Sequence, residues 1–355
     1  MSALLPAPAR PPITTALHRL ACGHDLTRSE AQSAMSAILD GSASPVQIAG
    51  FAMALSVKGA RVEELVGLVS TARAFGLPLP GDGQVLDTCG TGGDGRGTFN
   101  ISTSAAIVAA ACGVPVAKHG NRSASSACGS ADVLEELGVR IDLGPEQAAS
   151  CLERTGITFL FAPVFQESFR YAAGTRRELG VRTVFNLLGP LCNPARARFQ
   201  VLGVFDPAMV PVMAEVLHLL GTERALVFHA EDGLDELSIG APTQVVELHQ
   251  GRRRAYRLDP AALGIAPGRP ADLDGGGPAE NADIVRRLLA GEKGPRRDIV
   301  LLNTAAALRA AGRTEDWHEG MALAADALDT GRAAWLLDQW IAVSHEVTEP
   351  TPTLT

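Results

Sequence analysis

The sequence predicts an α/β protein: a small N-terminal helical domain followed by a larger α/β domain with a mostly parallel central sheet. Three observations carry that prediction. From Ile13 to Ala74 the apolar residues recur at helical spacing, with no strand-like run among them. After Val85, short apolar runs alternate with helix-length segments, the pattern of strand–helix–strand units. A chain of 355 residues, 46 % of them hydrophobic, is long enough to build one large core beside a smaller one.

Residues 1–12 are rich in Pro and Ala and are expected to be disordered. The helical domain is expected over 13–80. Ile13, Leu17 and Leu20 share one helix face, and Cys22-Gly23 closes that segment. Thr27-Arg28-Ser29-Glu30 reads as a capping box for a helix reaching Leu39, which Asp40-Gly41 ends. Ser44-Pro45 starts a helix over 46–57, because proline at the first helical position sacrifices no hydrogen bond. Another helix is expected over 62–74, before Pro78 and Pro80.

The α/β domain is expected over 81–345. Its strand candidates begin at Val85 and Val114 and continue at 159–161, 201–205, 225–228 and 245–248. Helices are expected at 102–111, 130–137, 145–155, 169–179, 207–220, 279–290, 299–310 and 317–341. The stretch 182–194, with Asn186, Gly189-Pro190 and Asn193-Pro194, reads as a connection between the domains, with a hinge contribution over about 180–196. Residues 264–278, rich in Gly, Pro and Asp, read as an exposed loop. Arg252-Arg253-Arg254, flanked by turn residues, reads as solvated surface, and 346–355 as a flexible tail.

Composition narrows the function. A net charge of −8 argues against a general nucleic-acid binder, which needs a basic stripe. The six cysteines contain no C-x-x-C pair and no histidine at metal-ligand spacing, so reduced, mostly buried thiols are expected. Neither a signal-peptide pattern nor an apolar run of about 18 residues appears, so no membrane partner is expected and the cytoplasm is the expected compartment.

The most informative stretch begins at Asp87. Gly90-Thr91-Gly92-Gly93-Asp94-Gly95, with Gly97 close behind, leaves no Cβ between backbone N–H groups and a ligand. Asn100-Ile101-Ser102-Thr103 then leads into a helix-length apolar run, so strand, glycine turn and helix N-terminus together make an anion site. The P-loop spacing is absent, since Gly97 is followed by Thr98 rather than Lys-Ser or Lys-Thr. Gly90, Gly92 and Gly95 do fall at G-x-G-x-x-G spacing, but Asp94 inside the turn is wrong for a dinucleotide pyrophosphate and better suited to a sugar hydroxyl or a metal-bound phosphate. A second strand delivers Lys118-His119-Gly120-Asn121-Arg122. Lys118 stands out because Lys58, Lys118 and Lys293 are the chain's lysines, so 28 of its 31 basic Lys and Arg residues are arginines. A compact ammonium is expected where a point charge is needed.

Asp87-Thr88-Cys89-Gly90-Thr91-Gly92-Gly93-Asp94 and Lys118-His119-Gly120-Asn121-Arg122, at this separation, resemble the anthranilate phosphoribosyltransferase family over nearly the whole chain. The resemblance implies transfer of the phosphoribosyl group of phosphoribosyl pyrophosphate (PRPP) to the amino group of anthranilate in tryptophan biosynthesis, with Mg2+ as cofactor. It also implies the nucleoside phosphorylase/phosphoribosyltransferase-like fold and a homodimer through the helical domain. PRPP contacts are implied at Gly90, Gly93, Asp94, Thr98, Asn100, Ile101, Ser102, Thr103, Lys118, His119, Gly120, Asn121, Arg122, Ser123, Ala124, Ser125, Ser126 and Ser130. Anthranilate contacts are implied at Gly90, Asn121 and Arg176, and metal ligation at Ser102, Asp235 and Glu236. His119 is a candidate either to orient the acceptor amine or to support its neighbours.

One segment departs from the family. Gln166-Glu167-Ser168-Phe169-Arg170 stands where its members commonly read His-Pro, and Gly174-Thr175 replaces a more apolar pair before Arg176. That segment walls the acceptor entry in the family, so a related aryl amine of specialised metabolism is an alternative acceptor. Pyrimidine nucleoside phosphorolysis, on the same architecture, is a second alternative. Asn121-Arg122 and the pair Asp235-Glu236 weigh against it, because they suit a magnesium pyrophosphate better than free phosphate.

Overall fold

The capping residues govern the N-terminal helices. The computed structural model describes residues 10–123 and 127–348, so expectations placed on 1–9, on Ala124, Ser125 and Ser126, and on 349–355 lie outside the described residues. Helices run over Pro12–Ala21, Arg28–Leu39, Pro45–Lys58 and Val62–Phe75. Thr27 accepts from the Glu30 amide while Glu30 reaches back to the Thr27 amide, and Ser44 and Gln47 repeat the arrangement. Each such cap stabilises its helix by about 1 kcal/mol. Buried Ile13, Met35, Ile38, Phe51, Leu55 and Val69 fill the bundle. Glu64 is fully buried there, and its carboxylate accepts from the Leu26 amide at 2.8 Å, the Arg61 amide at 2.7 Å and Lys58 Nζ at 3.0 Å. A buried charge persists only when paired and hydrogen-bonded in this way.

The helical unit also contains Ser168–Leu188, and its N-terminal part ends at Phe75. The expectation that placed 169–179 in the α/β domain, and 76–80 with the helices, is therefore corrected. The helix Arg170–Leu179 packs against the bundle: the Tyr171 ring covers Gly41 so closely that a Cβ there would lie 2.8 Å from it. Periodicity announces a helix; it does not say which core the helix joins.

The α/β unit, Gly76–Glu167 with the residues from Gly189 onward, is organised on a seven-stranded sheet among the described residues. Its strands are β1 Leu86–Gly90, β2 Val116–Gly120, β3 Ile157–Phe161, β4 Phe199–Gly203, β5 Arg224–Ala230, β6 Thr243–His249 and β7 Arg252–Leu258, in the order β3-β2-β1-β4-β5-β6-β7. β1 to β5 are parallel; β6 and β7 are antiparallel additions. The chain leaves β1 toward β2 and returns to β4 on the other side. That places a topological switch at β1 and β4, where such sheets open a ligand crevice at the carboxyl ends of the strands.

Several boundaries differ from expectation. β1 continues past Asp87 to Gly90 and β2 to Gly120, so Lys118 and His119 are paired strand residues rather than residues beyond the strand's end. The expected helix over 317–341 is two helices, Trp317–Asp329 and Arg332–Glu346, broken at Gly331 with φ of 74°. Arg252-Arg253-Arg254, expected as solvated surface, are exposed, but they open edge strand β7: Arg253 pairs with Glu215, and Arg254 lies 5.5 Å from the Tyr256 ring. Charges on an edge strand oppose further pairing, which is why the strand carries little apolar signal. The expected loop over 264–278 is not wholly exposed, since Leu273 is buried against the core. No described helix is long and apolar enough to cross a membrane.

Candidate active site

The residues of the two motifs gather, within the described residues, at the carboxyl ends of β1 and β2. Beyond Gly90 the chain turns through Gly92, Gly93, Gly95 and Gly97, with φ of 67°, 76°, 73° and 66°. An L side chain is strained in that region, so the turn requires glycine. The helix Ile101–Ala111 follows, and its N-cap, Asn100, makes no side-chain bond to the first turn. Asn100 instead donates to the Cys128 carbonyl at 3.4 Å and accepts from Asn281 at 2.9 Å. Ile101 and Thr103 are each 1 % exposed, so their side chains are packed in the core.

The acidic pair lies directly under this turn. The connection from β5 to β6 carries Asp235-Glu236, and Asp235 Oδ2 accepts from the Gly92 amide at 2.7 Å. Two glycines facing each other across the sheet, Gly90 and Gly203, make the approach possible. A Cβ on Gly90 would overlap the Asp235 carboxylate, and one on Gly203 its backbone carbonyl. Burial, then the charge of Asp94, raises the Asp235 carboxyl above the ordinary range. Burial, then Asp235 itself, raises Glu236 well above its usual value, opposed by Lys118 and by the Ser102 amide that points at it. The structure therefore brings Ser102, Asp235 and Glu236 together and adds Asp94 as a further negative charge.

That donor set fits magnesium. The groups are hard oxygens, and their clustered charge is incompletely balanced. Among the described residues no group of three or more His, Cys, Asp or Glu is arranged to hold a metal on its own. A magnesium ion that keeps its waters and shares one or two carboxylates with a substrate phosphate asks for no such cage.

Lys118 corrects an expectation. It is 2 % exposed, and its Nζ donates to the Thr88 carbonyl and lies 3.3 Å from Ser102 Oγ. Burial lowers its pKa, opposed by Asp87, Cys89 and Glu236. In this structure the ammonium ties β1 to the helix N-terminus rather than facing solvent as a point charge. Asp87, fully buried, accepts from the His119 amide at 3.2 Å; burial raises its carboxyl to about 6, opposed by Lys118.

The loop after β2 is built differently. Asp132 accepts from the Ser123 amide at 2.9 Å and the Gly129 amide at 2.8 Å. Arg122 reaches Asp132 at 3.1 Å and grips Glu135 through both terminal nitrogens, at 2.7 and 3.0 Å. Its guanidinium also lies 5.7 Å from the Phe161 ring. Asn121 Oδ1 accepts from the Arg122 amide at 2.8 Å, and Ser130 Oγ donates to the Asn121 carbonyl at 3.4 Å. Gly120 is required here, because a Cβ would overlap Ser130 Oγ.

Arg176 belongs to the helical unit, half-buried on Arg170–Leu179 with its guanidinium 5.7 Å from the Phe185 ring. Burial holds it below the ordinary arginine value. Gln166, expected beside the acceptor entry, is 7 % exposed and donates to the Cys192 carbonyl at 3.2 Å, whereas Glu167 is exposed. Leu273, Asp274 and Gly275 had no reading in the sequence beyond an exposed loop. Thr98 bridges to Asp274, the Phe99 amide donates to the Leu273 carbonyl at 3.0 Å, and the Gly275 amide donates to Gly97 at 2.9 Å. A loop-like composition hid this backing for the glycine turn.

Residues 82–334 match the model of the glycosyl transferase family a/b domain, and 14–76 that of the family's helical bundle domain. The chain is 63 % identical over 322 residues to anthranilate phosphoribosyltransferase 2 of Streptomyces coelicolor, covering 90 % of this chain and 96 % of that protein. It is similar to the crystal structure of anthranilate phosphoribosyltransferase from Thermus thermophilus, with a TM-score of 0.88 and 48 % identity, covering 93 % of this chain and 99 % of that one. The Saccharomyces cerevisiae enzyme in complex with PRPP and Mg matches with a TM-score of 0.87 and 26 % identity, covering 95 % and 99 %.

Proposed function

The chain belongs to the anthranilate phosphoribosyltransferase family, and from that premise we propose how its residues transfer the phosphoribosyl group of PRPP to the amino group of anthranilate, releasing pyrophosphate. The observation that carries the reading is Asp235 held against the Gly92 amide, with Glu236 beside the Ser102 amide. Acids, glycine turn and helix N-terminus thereby form one surface for a metal-bound pyrophosphate.

Backbone donors of the turn and of the helix N-terminus hold phosphate oxygens. Asp235, Glu236 and Ser102 would hold Mg2+, which when bound supplies positive charge against the leaving pyrophosphate. Lys118 neutralises Asp87 and Glu236 from below and fixes Ser102, so that the floor keeps its shape when the ligand's charge arrives. An aryl amine is unprotonated at neutral pH, so the acceptor needs positioning rather than a strong base. Asn121, the Gly90 backbone and the Arg176 cation serve the acceptor and its carboxylate, and His119 orients the amine. Gln166, turned inward to Cys192, is a structural residue, which leaves Glu167 as the exposed departure in that segment.

A homodimer through the helical unit belongs to the same reading. Val46, Gly50, Met53 and Val57 fall on one stripe of the helix Pro45–Lys58, where Val46 and Val57 are each 81 % exposed. Such a stripe suits a self-complementary contact, and sedimentation would report it. The compartment we assign is the cytoplasm.

The activity test is pyrophosphate release from PRPP and Mg2+ with anthranilate present or omitted. Release that requires anthranilate supports the assignment. Release that ignores anthranilate but follows another aryl amine overturns the acceptor, and absence of release with every amine overturns the reaction.

A further inference from the structure

The segment by which the chain re-enters the α/β unit, Gly189 to Asn193, is held by buried side-chain amides. Gln166 donates to the Cys192 carbonyl at 3.2 Å, and Asn193 to the Ala117 carbonyl at 2.8 Å. Both meet backbone acceptors in the interior, which is a sufficient structural reason for them. Gln200 does more. It lies on β4, opposite Asp87 in the β1 register, and is 2 % exposed. Its Nε2 donates to the Pro190 carbonyl at 2.7 Å and lies 3.2 Å from Cys89 Sγ, the strand residue just before the glycine turn. One residue before Pro190, the Gly189 carbonyl is 3.2 Å from His119 Nδ1. A carbonyl only accepts, so Nδ1 carries the proton and the tautomer of His119 is set by where Gly189 sits.

We propose that Gln200 is a positioning residue of the transferase: by pinning the Gly189–Leu191 turn to the end of β1, it fixes the place and tautomer of the His119 imidazole. The proposal rests on the reading that His119 orients the acceptor amine. It makes acceptor use, rather than PRPP binding, the quantity sensitive to a residue that touches neither substrate. Gln200→Met keeps length and apolar volume but removes the donor, while Gln200→Asn keeps the amide and withdraws it by one methylene.

The test combines steady-state kinetics on both variants with the imidazole 15N spectrum of His119. In the wild type the spectrum is expected to show the Nδ1–H tautomer. Both variants are expected to lose it as the dominant form and to raise the anthranilate KM by roughly tenfold, with the PRPP KM within about twofold. A proportional rise of both KM values, or an unchanged His119 spectrum in the variants, would mean that Gln200 merely packs. The wild-type spectrum alone decides the matter if neither variant folds: an Nε2–H form overturns the proposal. A wild type inactive with anthranilate condemns the functional reading instead, and a normal wild type whose variants show no split condemns only the role of Gln200.

Discussion

The loops that follow β1 and β2 sit side by side at the carboxyl ends of their strands, and their charges are balanced differently. After β2, the Ser123 and Gly129 amides and the Arg122 guanidinium all converge on Asp132, a residue of the same chain segment. After β1, the turn is glycine at positive φ, and the acids Asp235 and Glu236 beneath it, with Asp94, outnumber the opposing cation Lys118. The β2 loop is internally neutralised. The β1 loop is not, and in the function proposed above it would be completed by a ligand that brings cations and phosphate oxygens. The lesson is that residues of one recognisable motif divide into those that meet the ligand and those that hold the frame, and charge balance tells them apart.

The largest expected effect comes from the acids under the β1 turn. Asp235→Asn with Glu236→Gln should reduce turnover by a factor on the order of a thousand, at unchanged circular dichroism, because charge stabilisation of the leaving group is lost. Turnover near wild type at limiting magnesium would remove these residues from the ligand-facing class. Next comes Gly203→Ala, which drives a methyl into the Asp235 carbonyl. Overpacking of this kind costs about 1–3 kcal/mol, and displacement of Asp235 should lower kcat/KM by roughly tenfold to a hundredfold. Full activity in that variant would show that Asp235 need not sit where it does.

A smaller effect is expected in the other loop. Asp132→Ala releases two amides and one arm of Arg122, so the PRPP KM should rise by roughly tenfold while kcat changes little. A fall in kcat with the PRPP KM unchanged would contradict a framing role. Smallest of all is Arg122→Met. Its ion pairs are partly exposed, and such pairs contribute about 0–1 kcal/mol. The PRPP KM should then shift by less than about threefold; a tenfold rise would return Arg122 to the ligand-facing class.

Much of this was legible in the residues. Glycine turn, helix start and acidic pair could be named because φ, capping and hard-oxygen chemistry restrict which residues serve. What could not be read was direction. Lys118 and Arg122 announce positive charge, yet one is buried against Thr88 and Ser102 and the other is held by Glu135 and Asp132. The partners lie 10 to 30 positions away along the chain. Local pattern does not encode such pairings. The helix Arg170–Leu179 was visible as a helix but not as part of the bundle, since its buried residues, Ala172 and Thr175, are too few and too small to advertise a partner. Gln200 carried no signal because a lone glutamine acquires meaning only from the carbonyl it meets.

Hydrogen exchange of the backbone, with and without PRPP and Mg2+, tests the contrast between the two loops most directly. The Ser123 and Gly129 amides, already bonded to Asp132, should be protected before ligand is added and gain little from it. The amides of Gly93, Asp94, Gly95 and Gly97, unlike that of Gly92, which is bonded to Asp235, should exchange quickly in the free protein and become protected when both PRPP and Mg2+ are present. Protection that instead rises at Ser123 and Gly129 while these four remain unchanged would contradict the account.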